Sequence, residues 1–169
     1  MARRTFVEKL TISEPEIVPP HDFSFQYNYY VISPERQEDD ALVEVIKLKD
    51  GKIVKVELRS IGTVEHPCLE LTVKTLTKVT DQEISEIKEQ ISWRLCLTDD
   101  LKSFYKICKG DSVMQTAIST NYGAKDKAHL SVFEAVIDCV CSQNVIFKRL
   151  YEMMNNLCRR FGDKIQRQS

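Results

Sequence analysis

The sequence predicts an α+β protein, with an antiparallel β-sheet first and helices after it. Before residue 78, apolar residues alternate with polar ones in several runs, which is the period of a strand. From residue 80 onward they recur at spacings of three and four behind helix-capping residues. Strands followed by helices are typical of the α+β class. We place a boundary near residue 97, giving a sheet domain at residues 1–97 and a helical domain at residues 98–169.

Alternation predicts strands in five runs of the first half, at residues 5–12, 23–32, 41–49, 52–59 and 68–77. The run at 23–32 (FSFQYNYYVI) is rich in aromatic residues, which strands favour. Asp50-Gly51 separates the third and fourth runs and predicts a hairpin with a type I′ turn. The segment at 36–40 is charged and predicted to be exposed.

Capping residues predict five helices in the second half. Thr80 and Glu83 open the first, which runs through Trp93, while Asp100 and Asp111 open two short ones at 101–108 and 112–118. Ser131 and Glu134 form a capping box before a fourth helix, and a fifth ends at Gly162. In the last two helices we expect the apolar residues to face inward: Val132, Phe133, Val136, Ile137, Val140, Ile146, Leu150, Met153, Met154, Leu157 and Phe161.

Composition excludes several classes of protein. The net charge of -1 gives no general nucleic-acid signal, although residues 147–169 hold six basic residues against two acidic ones. That local charge could meet phosphates or be a solvated helix face. The six cysteines include no Cys-x-x-Cys pair, so we expect reduced thiols and no metal or other cofactor. Without a signal peptide or an apolar segment of membrane length, we expect an intracellular protein that binds no membrane.

The usual catalytic arrangements are also missing. There is no glycine-rich phosphate loop, and each of the three histidines lies by a predicted turn or loop. Asp99-Asp100 is explained by helix capping, and Cys141 has no identifiable base partner that would make it a nucleophile.

Two motifs carry a family resemblance. Residues 131–144 (SVFEAVIDCVCSQN) and 157–162 (LCRRFG) resemble the first two core helices of the helix-hairpin-helix DNA glycosylases, which include the alkyladenine and 8-oxoguanine enzymes. Residues 97–105 resemble the segment that leads into the family's helical region. The resemblance implies a base-excision-repair enzyme that flips a damaged base out of double-stranded DNA and hydrolyses its N-glycosidic bond. It also implies a cytoplasmic or nuclear location.

The resemblance assigns DNA contacts to the junction between these two helices. Asn144 matches the asparagine that fills the gap left by the flipped base, with Gln143 beside it. Arg149 matches the arginine that contacts the opposite base, and Lys148 adds positive charge. The alternative is that Gln143 and Asn144 only cap helix ends.

This sequence departs from the family in several places. The hairpin motif, the catalytic aspartate and the nucleophilic lysine of the family have no counterparts, so we expect an inactive N-terminal portion of a glycosylase with no catalytic residue of its own. Residues 23–27 also lack the glycine of the segment linked to damaged-guanine recognition, which leaves alkylated bases open.

A noncatalytic DNA-binding or protein-interaction module is the alternative function. In that case Tyr27, Tyr29 and Tyr30 on the predicted sheet would supply the binding face.

Overall fold

The structure is a computed structural model and describes residues 5–29 and 31–162. The described chain contains five strands and six helices, which confirms the α+β class. The strands are β1 (Phe6–Ser13), β2 (Arg36–Glu38), β3 (Ala41–Lys47), β4 (Ile53–Ser60) and β5 (Cys68–Thr75). The helices are α1 (Phe23–Asn28), α2 (Asp81–Arg94), α3 (Leu101–Ile107), α4 (Ser112–Thr120), α5 (Val132–Ser142) and α6 (Phe147–Phe161).

The strands form one antiparallel sheet in the order β1-β5-β4-β3-β2. Alternate residues of β3, β4 and β5 point into the main core, where Leu42, Leu58 and Leu71 are fully buried. Ile87 and Ile91 of α2, one turn apart, enter the same core. The predicted capping box of α2 is present, because Glu83 N–H donates to Thr80 Oγ1 and Thr80 N–H donates to Glu83 Oε2.

The predicted β3–β4 hairpin is confirmed, but its turn type was wrong. Gly51 has φ +87°, whereas Asp50 is not in the left-handed region that a type I′ turn requires at both positions. Gly51 N–H donates to the Leu48 carbonyl and Lys52 N–H to the Asp50 carboxylate, both at 2.8 Å. The chain therefore turns through a three-residue loop with glycine at its left-handed position.

The two-residue turn with paired positive φ values lies one hairpin earlier. Asp39 and Asp40 have φ values of 46° and 62°, between Glu38 of β2 and Ala41 of β3. The charged segment at residues 36–40 was predicted to be exposed but not to be a strand. Most of it forms β2, which lies at one edge of the sheet. Aspartate tolerates the left-handed conformation better than most residues, because its short polar side chain can bond locally.

The strand predicted at residues 23–32 was wrong, because residues 23–28 form α1. Asp22 caps this helix by accepting the Ser24 N–H at 2.9 Å. Phe23 and Tyr27 lie one helical turn apart and both pack on the main core. Gln26 fixes the helix, since its side-chain amide donates to the carbonyls of Leu95 and Asp126, each at 2.8 Å.

This correction removes the tyrosine-lined sheet face. Tyr27 is a half-buried residue of α1, and the exposed Tyr29 directly follows that helix. Tyr30 lies outside the described residues. The binding face expected for the noncatalytic alternative is therefore not on the sheet.

The helices predicted after residue 80 are confirmed, with bounds within two residues of those expected. Asp100 caps α3 and Asp111 caps α4 through their carboxylates. None of the described helices is both long and apolar enough to cross a bilayer. The division at residue 97 stays a prediction.

A buried lysine ties the loop after α4 to the first half of the chain. Lys125 is only 2% exposed, and its Nζ donates to the carbonyls of Val18 at 2.8 Å and Leu97 at 2.7 Å. Burial lowers its pKa. The Leu97 carbonyl also accepts from the Val18 N–H at 2.9 Å, so the lysine reinforces a contact between three separate segments.

We expect Lys125→Met to destabilise the fold, because it removes the donor to the Val18 carbonyl and one of the two donors to the Leu97 carbonyl. The cost should be about 2–4 kcal/mol in the free energy of unfolding. Urea denaturation measures it, with Lys106→Met on exposed α3 as the matched control. A loss no larger than that of the control would contradict this role for Lys125.

Candidate functional site

The junction between α5 and α6 is exposed and has an unusual backbone. Gln143 is the C-cap of α5, and Asn144 follows it with φ +55°. This left-handed conformation is uncommon for residues other than glycine, although asparagine is enriched there. Residues 142–149 are all exposed. The backbone thus turns sharply at Asn144 and presents the junction to solvent.

The side-chain amides of this junction are not used in helix capping. Among the residues that the structure describes, neither Gln143 nor Asn144 makes a side-chain hydrogen bond, and the N-cap of α6 is Ile146, which has no side-chain cap. Capping by side chains, the alternative explanation for these amides, therefore has no support in their contacts. Both amides are available to an external partner.

The start of α6 is positively charged. Lys148 and Arg149 lie in its first turn and are exposed, and the positive end of the helix dipole adds to their charge at this start, which has no side-chain cap. Arg149 Nη1 lies 3.4 Å from Glu152 Oε2, an exposed pair of small energetic value. Of the other basic residues predicted to contribute, Arg159 and Arg160 are in the last turn of α6, and Lys164 and Arg167 lie outside the described residues.

The structure brings the four predicted contact residues onto one exposed stretch of seven residues. Gln143, Asn144, Lys148 and Arg149 stand there as two amides followed by two cations. Whether they contact DNA stays a prediction. Such a stretch can offer hydrogen bonds to base edges and charge to phosphates, which are the two kinds of contact that DNA-binding proteins combine.

The inward orientation expected for the apolar residues of α5 was wrong. Val132, Phe133, Val136 and Val140 are between 52% and 82% exposed, and Ile137 alone of the five packs inward. On α6, Leu150 and Met154 are buried as expected, with Met153 and Leu157 half-buried beside them, whereas Ile146 and Phe161 are each 74% exposed. Together with Cys141 and Ile32, the inward residues form a small second core.

The acidic residues of α5 explain its orientation. Glu134 Oε1 accepts from Arg94 Nη2 at 2.7 Å, and Asp138 Oδ2 lies 3.5 Å from His129 Nε2. The predicted capping box is half formed: Ser131 Oγ accepts the Glu134 N–H, but the carboxylate bonds to the Leu130 N–H instead of that of Ser131. The ion pair with Arg94 and the contact with His129 thus turn the acidic side of α5 inward.

Arg94 is the centre of this buried charge cluster. It is 6% exposed, and its Nε lies 3.4 Å from Glu44 Oε1 on β3 and 3.7 Å from Glu35 Oε1. Its Nη1 donates to the Ala128 carbonyl at 3.0 Å. Burial alone would lower the pKa of Arg94, but the three carboxylates around it raise that pKa instead.

Within this cluster, Glu44 is the residue for which ionisation is unfavourable. It is 1% exposed, and burial together with the neighbouring Glu35 raises its pKa well above the usual 4.5. A protonated Glu44 avoids placing two buried negative charges side by side. Glu35 forms a second ion pair, in which Lys127 Nζ lies 2.6 Å from Glu35 Oε2.

A cavity of about 280 Å³ lies beside the cluster. Its polar lining comes from the segments before β2 and α5, from α2 and from α5: Ser33, Glu35, Arg94, His129, Glu134 and Asp138. Sequence reasoning missed this cluster. Glu134 and Asp138, four residues apart on one helix face, were the signal that could have indicated it. No group of three potential metal ligands occurs in the described parts of the chain.

Comparisons with known proteins support the fold. No protein-family model matches the sequence, and no curated protein matches it significantly. A solved structure, a 3-methyladenine DNA glycosylase from Archaeoglobus fulgidus, superimposes with a TM-score of 0.76 at 16% sequence identity. The match covers 94% of this chain and 53% of that chain. The chain therefore has a glycosylase-related fold and spans about half the length of this structural relative.

We expect Glu44→Gln to change how stability depends on pH. An acid whose pKa is raised in the folded state adds stability that is present below its unfolded pKa of about 4.5 and is lost as pH rises through the folded pKa. The free energy of unfolding of Glu44→Gln should therefore gain on that of the unsubstituted protein as pH rises, by up to about 1.4 kcal/mol per pH unit.

Urea denaturation of both proteins between acidic and alkaline pH measures this difference. Glu89→Gln, at an exposed site on α2, is the control. A difference between Glu44→Gln and the unsubstituted protein that stays constant with pH would show that Glu44 is ionised in the fold.

Proposed function

We propose that this chain is the N-terminal portion of a base-excision-repair DNA glycosylase, which acts on a damaged base in double-stranded DNA. The observation that carries the proposal is the exposed α5–α6 junction, with Asn144 in a left-handed turn, on a glycosylase-related fold. The structural relative is named for 3-methyladenine, and this agrees with an alkylated base as the substrate class. A DNA-repair role also implies an intracellular, DNA-associated protein.

The junction suits the task of holding a duplex from which one base has been flipped. Base flipping costs a few kcal/mol of lost stacking and pairing, and a side chain that fills the gap recovers part of it. Asn144 carries both a donor and an acceptor on a short side chain, so it can pair with the edge of the unpaired base. The left-handed φ of Asn144 holds it at the outer point of the turn.

The residues around Asn144 supply the remaining contacts. Lys148 and the open start of α6 would bind phosphates beside the gap, and Arg149 would reach the opposite base. The bond from Arg149 to Glu152 is exposed and weak, so exchanging it for a contact with DNA costs little.

The catalytic step is assigned to a part of the enzyme outside this chain. Hydrolysis of the N-glycosidic bond needs a group that activates water or attacks the sugar. The nearest acid described in α6, Glu152, is an exposed residue paired with Arg149. The structural relative is about twice as long, which agrees with a further catalytic half.

We expect Asn144→Ala to weaken binding to a duplex with an abasic-site analogue about tenfold, and binding to an intact duplex less than about twofold. Only the duplex with the abasic-site analogue offers an unpaired base to the side-chain amide of Asn144. Fluorescence anisotropy measures both affinities. Asn156→Ala, at an exposed position on α6, is the matched control. Equal losses on the two duplexes would exclude gap filling by Asn144.

Salt dependence separates phosphate contacts from base contacts in the same assay. Lys148→Ala should weaken binding to both duplexes alike and reduce the slope of log affinity against log salt by about one. If Lys148→Ala left the slope of log affinity against log salt unchanged, Lys148 would not be a phosphate contact. An affinity for DNA without any preference for the abasic duplex would favour a noncatalytic DNA-binding module.

We expect the purified 169-residue chain to release no base from duplexes that contain 3-methyladenine or 8-oxoguanine. Among its described residues, the acid on α6 beside the junction is Glu152, which is exposed and paired with Arg149, and positioning alone does not cleave the bond. Chromatography of the released base is the measurement, with the Archaeoglobus fulgidus 3-methyladenine DNA glycosylase as the positive control on the 3-methyladenine duplex. Excision that exceeds a blank reaction would overturn the assignment of catalysis to another part of the enzyme.

A further inference from the structure

Ile146 stands at a position that does not suit its residue type. It is the N-cap of α6, with extended backbone angles (φ −74°, ψ 153°), and it forms no side-chain cap. Residues with a short polar side chain are favoured at an N-cap because their oxygen accepts an N–H of the first turn, whereas isoleucine is among the least favoured. The other five helices of the described chain all have such an oxygen at their N-cap, supplied by Asp22, Thr80, Asp100, Asp111 and Ser131.

The side chain of Ile146 is also exposed to solvent. It is 74% exposed and belongs to neither of the two apolar cores. A single exposed apolar residue is ordinary by itself. At this position, however, a serine or an asparagine would serve the described chain better, because it would cap α6 and tolerate water. A residue that breaks a local rule without a gain inside the chain is typical of a site that contacts a partner.

The neighbours of Ile146 identify that partner as DNA. Asn144 lies two residues before it, and the exposed Lys148 and Arg149 follow it. Two residues of chain span at most about 7 Å, which is about two base steps in a duplex. If Asn144 fills the gap left by a flipped base, Ile146 therefore lies within two base steps of that gap. Stacked DNA offers both surfaces that this stretch needs, with apolar base faces inside and phosphates for the two cations outside.

We propose that Ile146 is a wedge that enters the base stack beside the gap and bends the duplex there. This inference rests on the proposed function, because it takes Asn144 as the gap-filling residue. Apolar side chains, isoleucine among them, can insert between base steps and kink a duplex by about 20–90°. The cost of insertion is lowest beside a flipped base, since the neighbouring base has already lost one stacking partner.

The structure gives the wedge a rigid support. The Ile146 carbonyl accepts the Arg149 N–H at 2.9 Å and the Leu150 N–H at 3.2 Å, so the residue is attached directly to the first turn of α6. Leu150 is 3% exposed and anchors that turn in the second core. The β-branched side chain of isoleucine also has few rotamers to lose on insertion. Ile146 would therefore shape the duplex, whereas Asn144 would contact the edge of the unpaired base.

A duplex with an abasic-site analogue tests the proposal when 2-aminopurine stands next to the analogue and the two ends carry a donor and an acceptor dye. Unstacking brightens 2-aminopurine, and bending increases energy transfer between the dyes. Both signals should rise when the purified chain saturates the duplex. Ile146→Ser should reduce each rise by at least about half, whereas Ile146→Leu, which keeps an apolar side chain, should retain both. Ile107→Ser, at an isoleucine that is 83% exposed on α3, is the matched control and should change neither signal.

Urea denaturation separates loss of the wedge from loss of the fold. Serine supplies a capping oxygen, so the midpoint of Ile146→Ser should equal or exceed that of the unsubstituted chain. A lower midpoint would show that Ile146 packs within the chain and would overturn the proposal.

The affinities for abasic and intact duplexes separate this inference from the proposed function. A chain that prefers the abasic duplex, but neither unstacks nor bends it, would overturn the wedge alone. Full signals with Ile146→Ser would do the same. A chain without preference for the abasic duplex would overturn the proposed function, and the wedge with it.

Discussion

The buried guanidinium of Arg94 is the interaction on which the arrangement of the helices depends. It lies at the end of α2 and joins a sheet residue, Glu44, to a residue of α5, Glu134. Arg94 is too deeply buried for an unpaired charge to be tolerated. Removing its carboxylate partners would leave an uncompensated ion inside the protein. One side chain therefore fixes which side of α5 faces the sheet. The positions of the α5–α6 junction and of the outward apolar surface both follow from this choice.

The cluster is also a compromise. Glu44 and Glu35 lie beside the same guanidinium, and the pKa of Glu44 is raised first by its burial and then by the neighbouring Glu35. A neutral apolar residue at position 44 would avoid the conflict but would remove one connection between β3 and α2. Buried ionic groups of this kind add less to stability than to the choice of one arrangement over others. In this protein they favour an orientation of α5 in which its acidic residues face the interior and its valines face solvent.

Local chemistry made most elements predictable from the sequence. Strand alternation located the central strands, and capping side chains located the starts of α2, α3, α4 and α5, because both signals act within a few residues. The aromatic run at residues 23–28 was wrongly predicted as part of a strand, since a helix of six residues contains too little of its own period to be distinguished from a strand. The orientation of α5 was not predictable, because it depends on Arg94, some 40 residues away in the sequence. The amides of the junction were identifiable only through a family resemblance, and their composition alone favoured helix caps.

The backbone conformation of Asn144 restricts which residues this position can hold. With φ at +55°, any β-branched or bulky side chain would be strained, and the conformation leaves essentially glycine, asparagine and aspartate as inexpensive choices. Glycine has no side chain, and aspartate would repel a phosphate backbone. Histidine is also enriched in this conformation, so asparagine is the smallest neutral residue favoured here that carries hydrogen-bonding groups on its side chain. The backbone conformation at position 144 thus limits which residue types can stand there.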